Sequence, residues 1–258
     1  MVRFAVGLPN VGEFGDPALL TDLAVGAEEH GWDGVFVWDH LLYHQPGWPV
    51  VSPTVVVSAI AARTRRIRLG VLMTALPRRR VQTVAKETAT LDVLSGGRLV
   101  FGAGLGSLDA EYADFGEDPD LKARAARLDQ GLEELTRLWE RLPPGPVQKP
   151  RIPVWCPGRW PIRAGFRRAA RWDGAMPTFR DFGRERPVPV GEFARVADFL
   201  AAQRGSLEGF DLALEGRAAD GLVEGYAAAG MTWWVEAMGW WRGGVADARR
   251  TIETGPPR

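Results

Sequence analysis

Cysteine is nearly missing from this chain. Cys156 stands alone, which excludes an internal disulfide, and no His, Cys, Asp or Glu grouping has the spacing of a metal site. Histidine is almost as scarce, with only His30, His40 and His44. No sign of charge dominates, since 32 Lys and Arg balance 32 Asp and Glu. The protein therefore has no global field to draw it to nucleic acid or to an anionic membrane. No apolar run approaches the ~18 residues of a membrane span, and no basic start precedes a signal-like stretch. The expectation is a soluble, cytoplasmic protein with a small-molecule substrate. Tryptophan, by contrast, is abundant at 11 residues. Large flat side chains line sites for planar ligands, but they also fill cores, and composition does not separate the two.

The hydrophobic pattern is more specific. Ile67 to Met73 is apolar and largely branched apart from Arg68, as in a parallel strand covered on both faces. From Val81 the period changes: Val84, Ala85, Thr88, Leu91 and Ser95 recur at helical spacing, and Gly96-Gly97 supplies a left-handed stop. Arg98 to Gly104 returns to strand character, so the unit is βαβ with a right-handed crossover. The same unit repeats along the chain. Arg3 to Leu8 precedes a helix capped by Asp16-Pro17. Gly34 to Trp38 precedes a helix from Ser52-Pro53 to Arg63. Ile152 to Cys156 reads as the fifth strand, with Pro157 to Trp160 as its exit loop and a helix from Pro161 to about Arg171. The remaining units are a helix after the fourth strand with Leu128, Leu132, Leu135 and Trp139 on one face, a short strand Gly174 to Met176, a helix marked by Phe193, Val196, Ala197 and Leu200, a strand Phe210 to Leu214, a helix Ala218 to Ala229, a strand Thr232 to Met238 and a last helix Val245 to Glu253. Eight strand-helix units with no internal linker predict an α/β fold, a single (β/α)8 TIM barrel over residues 1–258. Pro177 to Gly191 is longer than an ordinary βα loop and is a candidate lid.

Barrel enzymes carry their chemistry on the loops that follow the strands. That rule selects Asn10, Asp39, His40, Leu72 to Thr74, Gly104 to Ser107, Cys156 to Arg159, Met176 to Thr178 and Glu236 to Met238. His40 is the sharpest of them, because imidazole exchanges protons near neutral pH. Its ordinary alternative is a histidine bonded to a loop. His30 closes a helix and is explained by the dipole, and His44 stays undecided. Gly102, Gly104 and Gly106 form GxGxG, not the GxGxxG of a dinucleotide site, which makes an open-sheet nicotinamide dehydrogenase the weakest reading. The better account is glycine making room for something bulky. Pro157-Gly158-Arg159-Trp160 at a helix start suits phosphate, against a plain turn with a surface arginine. Arg78, Arg79 and Arg80 read as a solvated face, and Cys156 as a buried, inert thiol. Trp233 and Trp234 must point to opposite sides of their strand, one inward and one toward the helices.

MTALPRRR followed by KETATLDVLSGGRLVFGAGLG resembles the luciferase-like monooxygenase superfamily. So do VFVWDHLLY, RIPVWCPGRWP with FRRAARWDGAMP, and AAAGMTWWVEAM. The resemblance covers most of the chain. It implies a (β/α)8 barrel that binds a flavin, either the deazaflavin coenzyme F420 or FMN, for hydride transfer or oxygenation of a small organic substrate. It implies a bulge with a non-proline cis peptide near Leu72-Met73, with Thr74 beside it, against the ring. His40 would act in proton transfer, with Asp39 orienting it or touching the cofactor. Gly104, Gly106 and Ser107 would lie near the flavin, and Gly158, Arg159 and Thr178 near its phosphate. Two departures stand out: Ser107 replaces a glutamate of several deazaflavin-dependent relatives, and Pro157 removes a backbone donor where relatives usually carry glycine. Pro157, together with a link from Leu142 to Arg151 that is short where many relatives carry a longer excursion, keeps open the alternative of a flavin-free barrel serving as a partner subunit. WDH after the second strand resembles the deazaflavin branch, and relatives commonly pair as homodimers through outer helices.

Overall fold

In the computed structural model, which describes residues 1–43, 45–183 and 186–257, eight parallel strands close into a barrel in sequence order. They are β1 (Arg3–Leu8), β2 (Gly34–Val37), β3 (Arg68–Ala75), β4 (Leu99–Gly104), β5 (Val154–Trp160), β6 (Gly174–Phe179), β7 (Asp211–Gly216) and β8 (Trp233–Ala237). The outer ring is α1 (Pro17–Glu29), α2 (Pro53–Arg63), α3 (Val81–Ser95), a short α4 (Ala110–Ala113), α5 (Leu121–Arg141), α6 (Ala164–Ala169), α7 (Val190–Arg204), α8 (Val223–Ala228) and α9 (Gly244–Thr254). The TIM barrel read from periodicity is the observed fold. His44 lies outside the described residues, as do two positions of the loop between β6 and α7.

Local chemistry sets the boundaries. The Asp16 carboxylate accepts the Ala18 N–H at 2.8 Å and Pro17 opens α1, while Gly96 ends α3 at φ +66°, a conformation that suits glycine. Along α5, Leu128, Leu132, Leu135 and Trp139 are buried on one face. Burying each side chain of that size contributes roughly 1.5–3 kcal/mol. Two apolar layers result. The barrel interior is a small cluster of Ala5, Phe36, Leu72, Val100, Trp155, Met176, Ala213, Trp233 and Val235. Its rings interlock, with Trp155 and Trp233 centroids 5.6 Å apart and Phe36 5.4 Å from Trp155. The larger layer lies between strands and helices and takes Trp234, so register puts Trp233 inside and its neighbour outside.

Several boundaries differ from the sequence reading. β5 does not stop at Cys156; it pairs with β6 from Trp155↔Gly174 through Trp160↔Phe179. Pro157 is tolerated because β4 pairs with β5 only at Phe101↔Val154 and Gly102↔Trp155, leaving the strand's other edge free of partners there. β6 likewise runs on to Phe179. The helix expected over 218–229 is a 3-10 turn, Ala218–Asp220, and the short α8, separated by Gly221 at φ +72°.

Candidate functional site

The mouth at the strand C-termini has two unlike sides. On the side of β2, β3 and β4, the chain leaves β2 through Trp38, Asp39 and His40. Asp39 is fully buried at its carboxylate, which pairs with Arg78 at 3.0 Å and Arg79 at 2.8 Å and accepts the Ala75 N–H at 2.9 Å. Arg78, only 2 % exposed at its side chain, reaches Glu111 at 2.6 Å. Two of the three arginines taken for a solvated face are thus the cations of a buried ionic chain, because the 3-10 turn after β3 (Leu76–Arg78) folds them back under the mouth. Arg80 is exposed. Two carboxylates offset two guanidiniums, the balance that buried charge requires.

Glu111, on α4, completes the chain at His40. Its Oε1 lies 3.1 Å from His40 Nδ1 and accepts the Leu41 N–H at 2.6 Å. Burial acts to raise its pKa, but the hydrogen bonds from His40 and the Leu41 N–H, with the Arg78 charge, prevail and hold it below the ordinary carboxylate value. The residue expected to orient the imidazole was Asp39; the carboxylate that meets the ring is Glu111. Sequence reading missed Glu111 because α4 has four residues, too few to show a period, and an acid in DAEYAD looks solvated. The His40 ring, 12 % exposed at its side chain, also packs edge-on against Trp38 at 6.0 Å and Tyr43 at 5.1 Å.

β3 carries the expected bulge. Its register with β4 shifts between Val71 and Thr74, and Leu72-Met73 is a cis peptide. Leu72 and Met73 both face the interior cluster, whereas Thr74 turns outward. The glycines of β4 serve this bulge: a Cβ at Gly104 would stand 2.9 Å from Met73 Cβ, and one at Gly102 2.5 Å from Leu72 Cδ2. Gly106, at φ +76°, lies under the Tyr112 hydroxyl. The room these glycines make is filled by the protein's own side chains. Ser107 is exposed just beyond them.

The other side belongs to β6, β7 and β8. A pocket of about 200 Å³ is lined by Trp38, Met176, Thr178, Phe182, Glu215, Trp241 and Arg242 among others. Trp38 and Trp241 stack there at 5.4 Å and 19°, and Trp240 and Trp48 extend the aromatic wall. Arg242 Nε is buried with no hydrogen-bond partner among the described residues. Thr178 donates to the Gly158 carbonyl at 3.4 Å. The anion site expected at Pro157 to Arg159 is not a helix start: those residues are strand, Gly158 faces outward onto the Phe166 ring, and α6 begins only at Ala164. Arg159 is exposed, in register with Thr178. Glu236 points to the outer layer, where the Trp234 indole donates to it at 2.8 Å and the Ala218 N–H at 2.9 Å. Burial pushes its pKa up. Cys156 is buried, its thiol pushed up to about 12 by burial. The His30 ring bonds the Gly26 carbonyl at 2.8 Å. Among the described residues, no cluster suited to a metal ion occurs, and no helix is long and apolar enough to cross a membrane.

A barrel with a buried ionic chain behind a mouth histidine and a cis bulge on its third strand defines a class of α/β-barrel proteins with one open, aromatic face. The sequence model of the luciferase-like monooxygenase family matches residues 4–161, and the chain belongs to that family. It is 37% identical over 129 residues to an F420-dependent glucose-6-phosphate dehydrogenase of Nakamurella multipartita, covering 49% of this chain and 38% of that protein. It is 36% identical over 126 residues to the 4-hydroxyprotoasukamycin monooxygenase of Streptomyces nodosus subsp. asukaensis, covering 45% and 33%. The matched stretch thus spans less than half of these relatives. Among solved structures, an F420-dependent secondary alcohol dehydrogenase superposes with a TM-score of 0.80 at 15% identity, over 99% of this chain and 98% of that one. The coenzyme F420-dependent tetrahydromethanopterin reductase of Methanopyrus kandleri gives 0.77 at 18%, over 98% and 96%. These two likenesses concern the fold.

Proposed function

We propose that this protein is a flavin-class oxidoreductase acting on a small organic substrate, with His40 as its proton-transfer group. The observation that carries the reading is His40 itself, held just past the end of β2 by a buried carboxylate, in a barrel whose interior cluster includes Leu72, Met73 and Met176. The site suits a planar ring with an anionic tail. The floor and the Trp38–Trp241 stack are flat and apolar, and Arg242 offers a cation while Thr178 offers a hydroxyl. About 200 Å³ is ring-sized, below the ~300–1,000 Å³ that encloses a whole drug-sized ligand, so a tail would run outward over Thr178 and Arg159. When bound, the cofactor supplies hydride chemistry if it is the deazaflavin coenzyme F420, and oxygen chemistry as well if it is FMN. The protein orients the ring, keeps water from its floor and moves a proton at His40. The deazaflavin coenzyme is the first choice, because dehydrogenases named for it are among the relatives matched.

Titration of the purified protein with each cofactor, followed by quenching of the mouth tryptophans, tests this. Micromolar binding of one supports it, and binding of neither by a folded protein overturns it. His40→Ala is expected to lower the rate by ~10² to 10⁴ with cofactor affinity kept. A second reading, a flavin-free partner barrel, draws on the Met73 and Tyr112 side chains that fill the space at Gly104 and Gly106. It predicts no binding of either cofactor. Pairing of two chains through outer helices belongs to the first reading, and sedimentation at micromolar concentration checks it.

A further inference from the structure

We propose that Glu111 is a positioning residue that fixes the tautomer of His40, keeping the ring proton on Nδ1 and leaving Nε2 as the nitrogen that exchanges a proton at the mouth. The use of Nε2 in turnover rests on the oxidoreductase reading; the tautomer stands on the geometry alone.

Every neighbour of the Glu111 carboxylate is a donor. Oε1 accepts from the Leu41 N–H at 2.6 Å and the Leu42 N–H at 3.4 Å, and Oε2 from Arg78 Nη1 at 2.6 Å. An ionised carboxylate can only accept, so the fourth neighbour, His40 Nδ1 at 3.1 Å, must bring the hydrogen. Rotating the ring by half a turn would set a carbon against the carboxylate, leaving it one donor short in a buried place. Trp38 and Tyr43, both edge-on to the ring, fix its plane, and the bond to Glu111 selects between the two half-turn positions. Glu111 stays ionised because Arg78 is paired with it, and Arg78 in turn is shared with Asp39, which Arg79 also holds. The charge is thus balanced within the chain of four. A proton accepted at Nε2 converts the ring to imidazolium, whose second N–H is already on Glu111; when Nε2 gives the proton up, the same Nδ1–H remains. The ring neither turns nor changes partner during the exchange. This is the arrangement by which the bond at one ring nitrogen assigns the role of the other.

The chain has three imidazoles, so long-range proton–nitrogen correlation spectra of ¹⁵N-labelled protein can separate them without any ligand. On the alkaline side of its titration, His40 is expected to show the Nδ1-protonated pattern, against the Nε2-protonated form that free imidazole side chains prefer. His30, bonded through Nδ1 to the Gly26 carbonyl, is a built-in control for a fold-held ring. In Glu111→Ala, His40 is expected to turn to mainly Nε2–H while His30 keeps its pattern. Glu111→Ala/Arg78→Met serves where the single variant leaves Arg78 too poorly matched to fold, and Glu111→Gln, whose amide oxygen still accepts, should retain the wild-type form. An Nε2-protonated His40 in the wild type, or an unchanged pattern in both alanine variants, overturns the proposal. A correct tautomer in a protein that binds neither flavin would instead sink the oxidoreductase reading and leave this one standing.

Discussion

The two sides of the barrel mouth spend their polar groups differently. Behind β2, β3 and β4, Asp39, Arg78, Arg79, Glu111 and His40 form one connected chain in which each charge meets its opposite. Across the mouth, Arg242 lines a pocket and forms no ion pair among the described residues, and Glu236 is held by an indole and one backbone N–H with its pKa raised by burial. The first side pairs its charges among themselves; the second leaves the Arg242 guanidinium on a pocket wall without an ion pair among the described residues. The family model matches residues 4–161, which contain the first side. The contrast teaches that one barrel mouth can pair its buried charges among themselves on one side and set a cation beside an open aromatic pocket on the other.

The largest effect should come from cutting the connected side. Arg78→Met leaves two buried carboxylates short of a partner, and chemical denaturation is expected to show a loss of about 3–5 kcal/mol. Arg242→Met removes no comparable pair and should cost under about 1 kcal/mol. Equal losses would erase the distinction between the two sides. Gly104→Ala comes next: its Cβ would stand 2.9 Å from Met73 Cβ, an overpacking worth ~1–3 kcal/mol. Met73→Ala in the same chain should recover much of that loss. If it does not, the glycine is there for something other than the bulge.

The two buried glutamates should respond to pH in opposite senses. Glu111 is held below its ordinary value of 4.5, so its stabilisation is full above 4.5 and disappears as pH falls through the lowered folded value. The stability gap between wild type and Glu111→Gln should therefore narrow in acid. Glu236 is raised above the same 4.5; its penalty is absent below 4.5 and grows as pH rises through the raised folded value. Glu236→Gln should gain on the wild type toward neutral pH. Melting temperatures from pH 3.5 to 8 would decide it, and parallel curves would refute both signs. The smallest effect is an absence: Cys156, with its thiol pushed up to about 12, should resist thiol reagents at pH 8 until the protein unfolds.

What the sequence alone determined is whatever local periodicity and backbone chemistry dictate. Continuous branched runs alternating with amphipathic stretches specify a barrel, and Asp16-Pro17 and Gly96 end their helices where expected because capping acts over one turn. His40 at the end of β2 was visible for the same reason, since a strand end can be read and a mouth position follows from it. The bulge at Leu72-Met73 came from resemblance to a family, not from any local signal. The tertiary structure decided everything that depends on residues distant in sequence. Glu111 meets a histidine 71 positions earlier, and Arg78 lies buried between carboxylates 39 positions before it and 33 after it. No pattern within a window can report such pairs. Pro157 misled for a related reason: a proline's cost in a strand depends on whether a neighbouring strand asks for its N–H, and strand pairing is settled only when the barrel closes. Register, likewise a property of the closed sheet, sent Trp233 inward and Trp234 outward.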